Sequence, residues 1–180
     1  GRRLAAIQQP TSALASQTIV RIEQAAFRAR LDGSQLVGQA TFLVAAAGTD
    51  AALLPLQPCS FTIESAFWNA AESRTAIFGA DQTGKLLCLV DHSGELSLKW
   101  RQAANEVIDG RQSFALQFPS APYRRLEINA HANIELAIDS GLIVSSQPSS
   151  EEPDRRNWLI ELTGAANIRL EANAKRQTHL

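Results

Sequence analysis

The sequence has no methionine, a single tyrosine and only two cysteines, and its 17 basic residues are matched by 18 acidic ones. Each scarcity excludes something. A formal net charge of −1 over 180 residues supplies neither a basic field for nucleic acid nor long-range steering of anionic partners. No apolar run approaches the roughly 20 residues that a membrane-spanning helix needs, so no membrane insertion is expected. Cys59 and Cys88 are too few for a disulfide framework or a zinc-binding cysteine cluster. Their spacing leaves open whether they bond to each other, and two small buried hydrophobes are the simpler expectation. The missing methionine and the opening Gly1-Arg2-Arg3 lead to the expectation of a piece excised from a longer chain. The first sixteen residues carry no apolar leader segment.

Helical periodicity is almost absent as well. From Thr18 onward the pattern is alternation: Leu96, Leu98 and Trp100 interleave with Ser97, Lys99 and Arg101, and Ile134, Leu136 and Ile138 with Glu135 and Asp139. Alternation of this kind describes a strand with one wet face, as in antiparallel sheets. Asp32-Gly33, Thr83-Gly84, Ser93-Gly94, Asp109-Gly110, Ser140-Gly141 and Thr163-Gly164 fall between the apolar runs as hairpin-type turns. Val20 and Ile22 share one parity while Phe27 and Leu31 take the other, so a bulge or break is expected near Gln24 to Ala26. Residues 1–16 read as a linker-like arm, 17–174 as the β-domain and 175–180 as a polar tail; Gln147 to Arg156 reads as a long exposed loop.

The β-domain carries signs of an internal repeat. Leu89-Val90-Asp91-His92-Ser93-Gly94 aligns with Leu159-Ile160-Glu161-Leu162-Thr163-Gly164, and further strand and proline positions follow in the same order. Two copies spanning about 36–104 and 112–174 are expected, sharing one core because each alone would expose an apolar sheet face. The segments AAFRARLDGSQLVGQATF, ALLPLQPCSFTIESAFW, GELSLKWRQA, GRQSFALQFPSAPYRRLEI and NWLIELTGAANIRLEA resemble β-rich parts of large, uncharacterised planctomycete-type bacterial proteins. This resemblance covers residues 19–174. It implies a module of a longer bacterial chain outside the cytoplasm, in the cell envelope or beyond, and it carries no catalytic residues across.

Motifs with chemistry mostly fail on context. Gly79-Ala80-Asp81-Gln82-Thr83-Gly84-Lys85-Leu86 has the spacing of a phosphate-binding loop. Leu86 stands where Ser or Thr would hold Mg²⁺, and a strand follows where a helix should. His92, His131 and His179 are scattered, so no metal site is expected; no cofactor motif is present and no catalytic residue is assigned. Glu64 and Glu127 on strand faces could form a carboxylate pair, as could many glutamates on any sheet.

The aromatic residues carry the one binding candidate. Trp100 and Trp158 share parity with core leucines and isoleucines. Trp68 shares parity with Thr62, Glu64 and Ala66, opposite Phe61, Ile63 and Phe67, and so is expected either exposed or half-exposed at a strand end beside Asn69, as a binding ring, or capping the end of the core. Tyr123 is the second aromatic candidate. The expected fold is therefore an all-β antiparallel sandwich of about a dozen strands, with a concanavalin-like jelly roll as alternative. The expected function is a non-catalytic structural or protein-interaction module, its partners being neighbouring domains or another protein, with self-association through a sheet edge open. The alternative is a carbohydrate-binding module using Trp68, Glu64, Asn69 and Tyr123 on a glycan.

Overall fold

A computed structural model of the chain describes residues 17–162, 164 and 167–176. The arm expected at 1–16 and the last part of the tail, 177–180, lie outside the described residues. Those described form fifteen strands and no helix. The first five are β1 (Ile19–Asp32), β2 (Gln35–Ala47), β3 (Ala52–Pro55), β4 (Thr62–Asn69) and β5 (Arg74–Thr75). There follow β6 (Phe78–Ala80), β7 (Leu86–Val90), β8 (Gly94–Ala103), β9 (Glu106–Ile108) and β10 (Arg111–Gln117). The last are β11 (Tyr123–His131), β12 (Ile134–Ile138), β13 (Leu142–Pro148), β14 (Arg155–Glu161) and β15 (Asn167–Ala174).

These strands make three sheets: one of eight strands in the order β13-β14-β11-β1-β2-β8-β4-β5, one of four in the order β12-β15-β10-β9, and one of three in the order β3-β7-β6. The all-β expectation holds. The purely antiparallel one does not, because β1 lies parallel to β11, with Phe27 opposite Leu126. Alternation along a strand reports which face is buried and says nothing of the direction of its neighbour, so this pair was invisible in the sequence. The segments compared as repeats place β2 beside β8 and β10 beside β15, whereas β4 lies beside β8 and β11 beside β14.

The longest hairpin follows directly from its residues. Asp32 and Gln35 close a two-residue turn in which Gly33 adopts φ 58°, a conformation costly for any residue with a Cβ. The register shifts between Ile22 and Gln24, and this bulge brings Ile22, Ala25, Phe27, Ala29 and Leu31 to one buried face. The loop expected at Gln147 to Arg156 is shorter than read: β13 continues through Pro148 and β14 resumes at Arg155.

All three sheets contribute to one hydrophobic core. Phe27 is its aromatic centre: its ring lies 4.6 Å from Phe118, 5.6 Å from Phe42, 5.9 Å from Phe61 and 6.4 Å from Trp100, centroid to centroid. Phe118 follows β10 of the four-stranded sheet and the other four belong to or adjoin the large sheet, so this cluster ties the two together. Each such fully buried ring contributes roughly 1.5–3 kcal/mol from area burial. The opposite face of the large sheet carries Arg28, Gln39, Thr41, Lys99, Arg101, Arg125 and Glu127 and is open.

Candidate functional site

Of the four residues read as a binding site, Trp68 departs most from expectation. It is buried, 3% exposed. The cause is a second bulge: the register of β4 against β8 shifts between Ile63 and Ser65, so the inward positions change from Phe61 and Ile63 to Ala66 and Trp68. Parity counted across Glu64 therefore points the wrong way, and Phe67 becomes the ring that reaches solvent, at 36% exposure. A flat ring facing the core offers no platform to a sugar.

The other three lie on the opposite, open side. Asn69 donates through Nδ2 to Ser97 Oγ at 2.9 Å and also contacts Glu95 Oε1. The Tyr123 hydroxyl donates to Glu161 Oε1 at 3.2 Å. Glu95 and Tyr123 line one shallow cleft of about 240 Å³ with Gln24, Thr41, Leu43 and Arg125. Glu64 stands apart from that cleft: it pairs with Arg101 at 3.2 Å, a position on β8 roughly 20 Å along the strand from Glu95. The structure thus brings Asn69 and Tyr123 to the rim of one cleft and separates both from Trp68 and Glu64.

A more concentrated group of polar side chains surrounds the edge of Trp68. Arg74, Thr75, Ile77, Leu89 and Asp91 line with it a cavity of about 130 Å³. Arg74 grips Asp91 with both terminal nitrogens, Nη1 at 3.3 Å and Nη2 at 3.0 Å, a forked arrangement suited to a carboxylate. His92 Nδ1 contacts the same carboxylate and lies 3.2 Å from Arg74 Nη2, and the imidazole ring packs 5.2 Å from the Trp68 ring. The Arg74 guanidinium and the His92 ring together hold the Asp91 carboxyl well below its ordinary range, at about 2. With its lone pairs committed to two donors, Asp91 is poorly placed to accept a proton from a substrate.

Beside this cavity the three-stranded sheet turns an apolar face outward. Leu53 is opposite Leu89 in the register, and the Leu89 N–H donates to the Ile77 carbonyl at 2.9 Å. These three side chains are 58%, 37% and 64% exposed, in that order of residue number for Leu53 and Leu89 and then Ile77. Leu54, Cys88 and Val90 of the same strands are buried on the inner side. Nothing in the linear sequence joins Arg74 to Asp91 and His92. The signal that could have joined them is the short separation of an arginine, an aspartate and a histidine around two strand ends, which becomes spatial only through the pairing of β4 with β5.

The remaining motifs resolve as turns. Gly79 to Leu86 is the hairpin between β6 and β7, with the Asp81 carboxylate accepting from the Thr83 N–H at 2.8 Å, the Thr83 hydroxyl at 2.6 Å and the Lys85 N–H at 2.9 Å. Cys59 and Cys88 are both free thiols, and burial pushes each up to about 11. His131 stands on the open face near Asp154 at 3.5 Å. Among the described residues no group of three or more His, Cys, Asp or Glu side chains could hold a metal ion, and no helix is long and apolar enough to cross a membrane.

No protein-family model matches the chain, and no curated protein matches it. Solved structures do. The M1 zinc metallopeptidase from Deinococcus radiodurans superposes with a TM-score of 0.54 at 12% identity, over 84% of this chain and 42% of that one. A variant of an M1 zinc metallopeptidase from the same organism, bound to a Tyr-Ser-Ala substrate, gives 0.53 over 86% of this chain. Native yeast leukotriene A4 hydrolase gives 0.54 at 10% identity, over 93% of this chain and 31% of that one. The likeness is one of fold, and this chain spans less than half the length of each of these proteins. It nevertheless overturns the expectation of a non-catalytic structural or interaction module and its carbohydrate-binding alternative: the chain has the fold of a part of peptidase and hydrolase enzymes. Alternating strands specify a sheet and carry no mark of function, which is why the sequence pointed elsewhere.

Proposed function

We propose that this chain is the β-rich domain of a metal-dependent hydrolase of the peptidase type, with the metal held by residues outside 17–176. The observation that carries the proposal is the extent of the fold likeness: between 84% and 93% of the chain superposes on three solved structures of two such enzymes and accounts for 31–42% of their length. The described residues themselves do not fit a zinc ion. Asp91 and His92 are the nearest approach to a ligand pair, and the carboxylate of the first is already occupied by Arg74. No chemical step is therefore assigned to these residues.

In this reading the domain works by packing. Its two smaller sheets stack on one face of the large sheet in a sandwich, supported by the ring contacts of Phe118 with Phe27 and Phe61. The exposed ladder of Leu53, Leu89 and Ile77, rimmed by the Arg74–Asp91 pair, is the surface against which the metal-bearing remainder of the enzyme packs. A neutral apolar strip edged by a charged pair is the ordinary composition of an interface core and rim.

The test is hydrolysis of unblocked peptides by the natural polypeptide that carries this segment, with and without a zinc chelator. The expected result is peptide cleavage that chelation abolishes and added zinc restores. Absence of metal-dependent cleavage across peptides of varied first residue would overturn the proposal.

A further inference from the structure

Among the described residues, six strands have one flank unpaired: β13 and β5 on the eight-stranded sheet, β12 and β9 on the four-stranded sheet, and β3 and β6 on the three-stranded sheet. Such flanks invite pairing with another chain, and all but one of them are guarded. β13 is kinked by a register shift between Ile143 and Ser145 and ends on Pro148. β3 is four residues long and ends on Pro55, and β5, β6 and β9 have only two or three residues each. β12, Ile134-Glu135-Leu136-Ala137-Ile138, is the exception. Its five residues run in unbroken register with β15 and include no proline, glycine, lysine or arginine.

The direction of its backbone groups follows from the ladder. The Lys175 N–H donates to the Asn133 carbonyl at 2.7 Å and the Asp139 N–H to the Arg169 carbonyl at 3.2 Å, so the odd-numbered residues of β12 turn their polar groups toward β15. The even-numbered ones turn theirs away. The Ile134 carbonyl, the N–H and carbonyl of Leu136 and the Ile138 N–H thus face the open flank, where no described strand lies. The side chains alternate across the sheet. Leu136 is 4% exposed, with Ile134 and Ile138 half-buried against the core. Glu135, 3.6 Å from Lys175 Nζ, and Ala137 face solvent.

We infer that this flank receives the same strand of a second copy of the chain, antiparallel about a two-fold axis at Leu136. In that register Leu136 faces Leu136, Ile134 faces Ile138, and Glu135 faces Ala137 of the second copy. The outward groups of each copy then meet those of the other, N–H to carbonyl, and the apolar side chains stay on the core side. Other registers fail. A shift by one residue sends the apolar side chains of the two strands to opposite faces. A shift by two restores the backbone match but sets Glu135 against Glu135 in one direction and against Asp139 in the other. The strand therefore fits itself in one register, and the assembly closes after two copies. The contact is one strand long, about 17 Å, so a reversible dimer in the micromolar to millimolar range is expected rather than a permanent one. β12 lies on a different sheet from Leu53, Leu89 and Ile77, so the pairing leaves that surface free and does not rest on the hydrolase reading.

The test is sedimentation equilibrium from micromolar to millimolar concentration, on this chain and on the natural polypeptide that carries it, with circular dichroism to establish that each variant folds. Both wild-type polypeptides are expected to form dimers and nothing larger. Ile138→Pro deletes an outward N–H at the end of an edge strand, where proline is tolerated, and is expected to weaken dimerisation about tenfold. Ala137→Lys, on the solvent face, sets a lysine opposite Glu135 of the second copy on both sides of the axis and is expected to tighten it about threefold at low salt. Val107→Lys, on the flank of β9, is expected to change nothing. A monomer in either wild-type polypeptide, growth beyond the dimer, a folded Ile138→Pro that dimerises as wild type does, an Ala137→Lys that dimerises no more tightly, or a loss on Val107→Lys would overturn the proposal. Should Ile138→Pro not fold, the direction of the Ala137→Lys change decides.

Discussion

Protonation of Asp91 reaches two neighbours at once, because Arg74 and His92 both contact its carboxylate. Its folded-state pKa of about 2 lies below the ordinary 3.8. A depressed carboxylate pKa stabilises the fold above the unfolded value, and the contribution is lost as pH falls through the folded one. The unfolding midpoint of the wild-type chain should therefore fall more steeply between about pH 4 and pH 2 than that of Asp91→Asn, whose acid limb should be flatter; calorimetry across that range checks it. Tryptophan exposure is the second residue-scale test. Trp68, Trp100 and Trp158 are 3%, 0% and 5% exposed, so the folded chain should show blue-shifted emission and quenching by iodide several-fold weaker than the unfolded chain. The positions of Trp100 and Trp158 were legible from their apolar parity partners. Trp68 was not, because a single extra residue at Glu64 reverses every later position on its strand and leaves no compositional trace.

At the scale of strands, the two bulges decide which side chains meet. The one in β1 announced itself, since Val20 and Phe27 are both large and of opposite parity. The one in β4 did not, since Ala66 is small and Ser65 is tolerated on either face. Gly38 is a further constraint set by pairing. A Cβ built there would fall 1.8 Å from the Arg28 carbonyl oxygen and 2.8 Å from Ala29 Cα, both backbone atoms of the neighbouring β1. Neither can move without parting the longest hairpin of the fold. Gly38→Ala should cost about 2–4 kcal/mol in denaturant unfolding, while Gly79→Ala, with nothing within 4 Å, should have little effect. The hairpins themselves were readable from their turn residues: Asp109 and Gly110 adopt φ 50° and 77°, as an Asp-Gly pair between two strands permits.

At the scale of the whole molecule, the fold class was legible and the arrangement was not. Alternation and turns imply strands, yet which strands lie side by side depends on contacts between residues far apart in sequence, as where β1 meets β11. The fold likeness to peptidase and hydrolase structures is less legible still, for it rests on the shape of three sheets taken together rather than on any motif. The proposed domain builds a core and a docking face and leaves the metal to another part of the enzyme. Zinc stoichiometry measured by mass spectrometry tests this most directly, on this chain and on the natural polypeptide that carries it, both dialysed against micromolar zinc. The account predicts bound zinc on the natural polypeptide and none on this chain; stoichiometric zinc on this chain alone, or none on either, would contradict it.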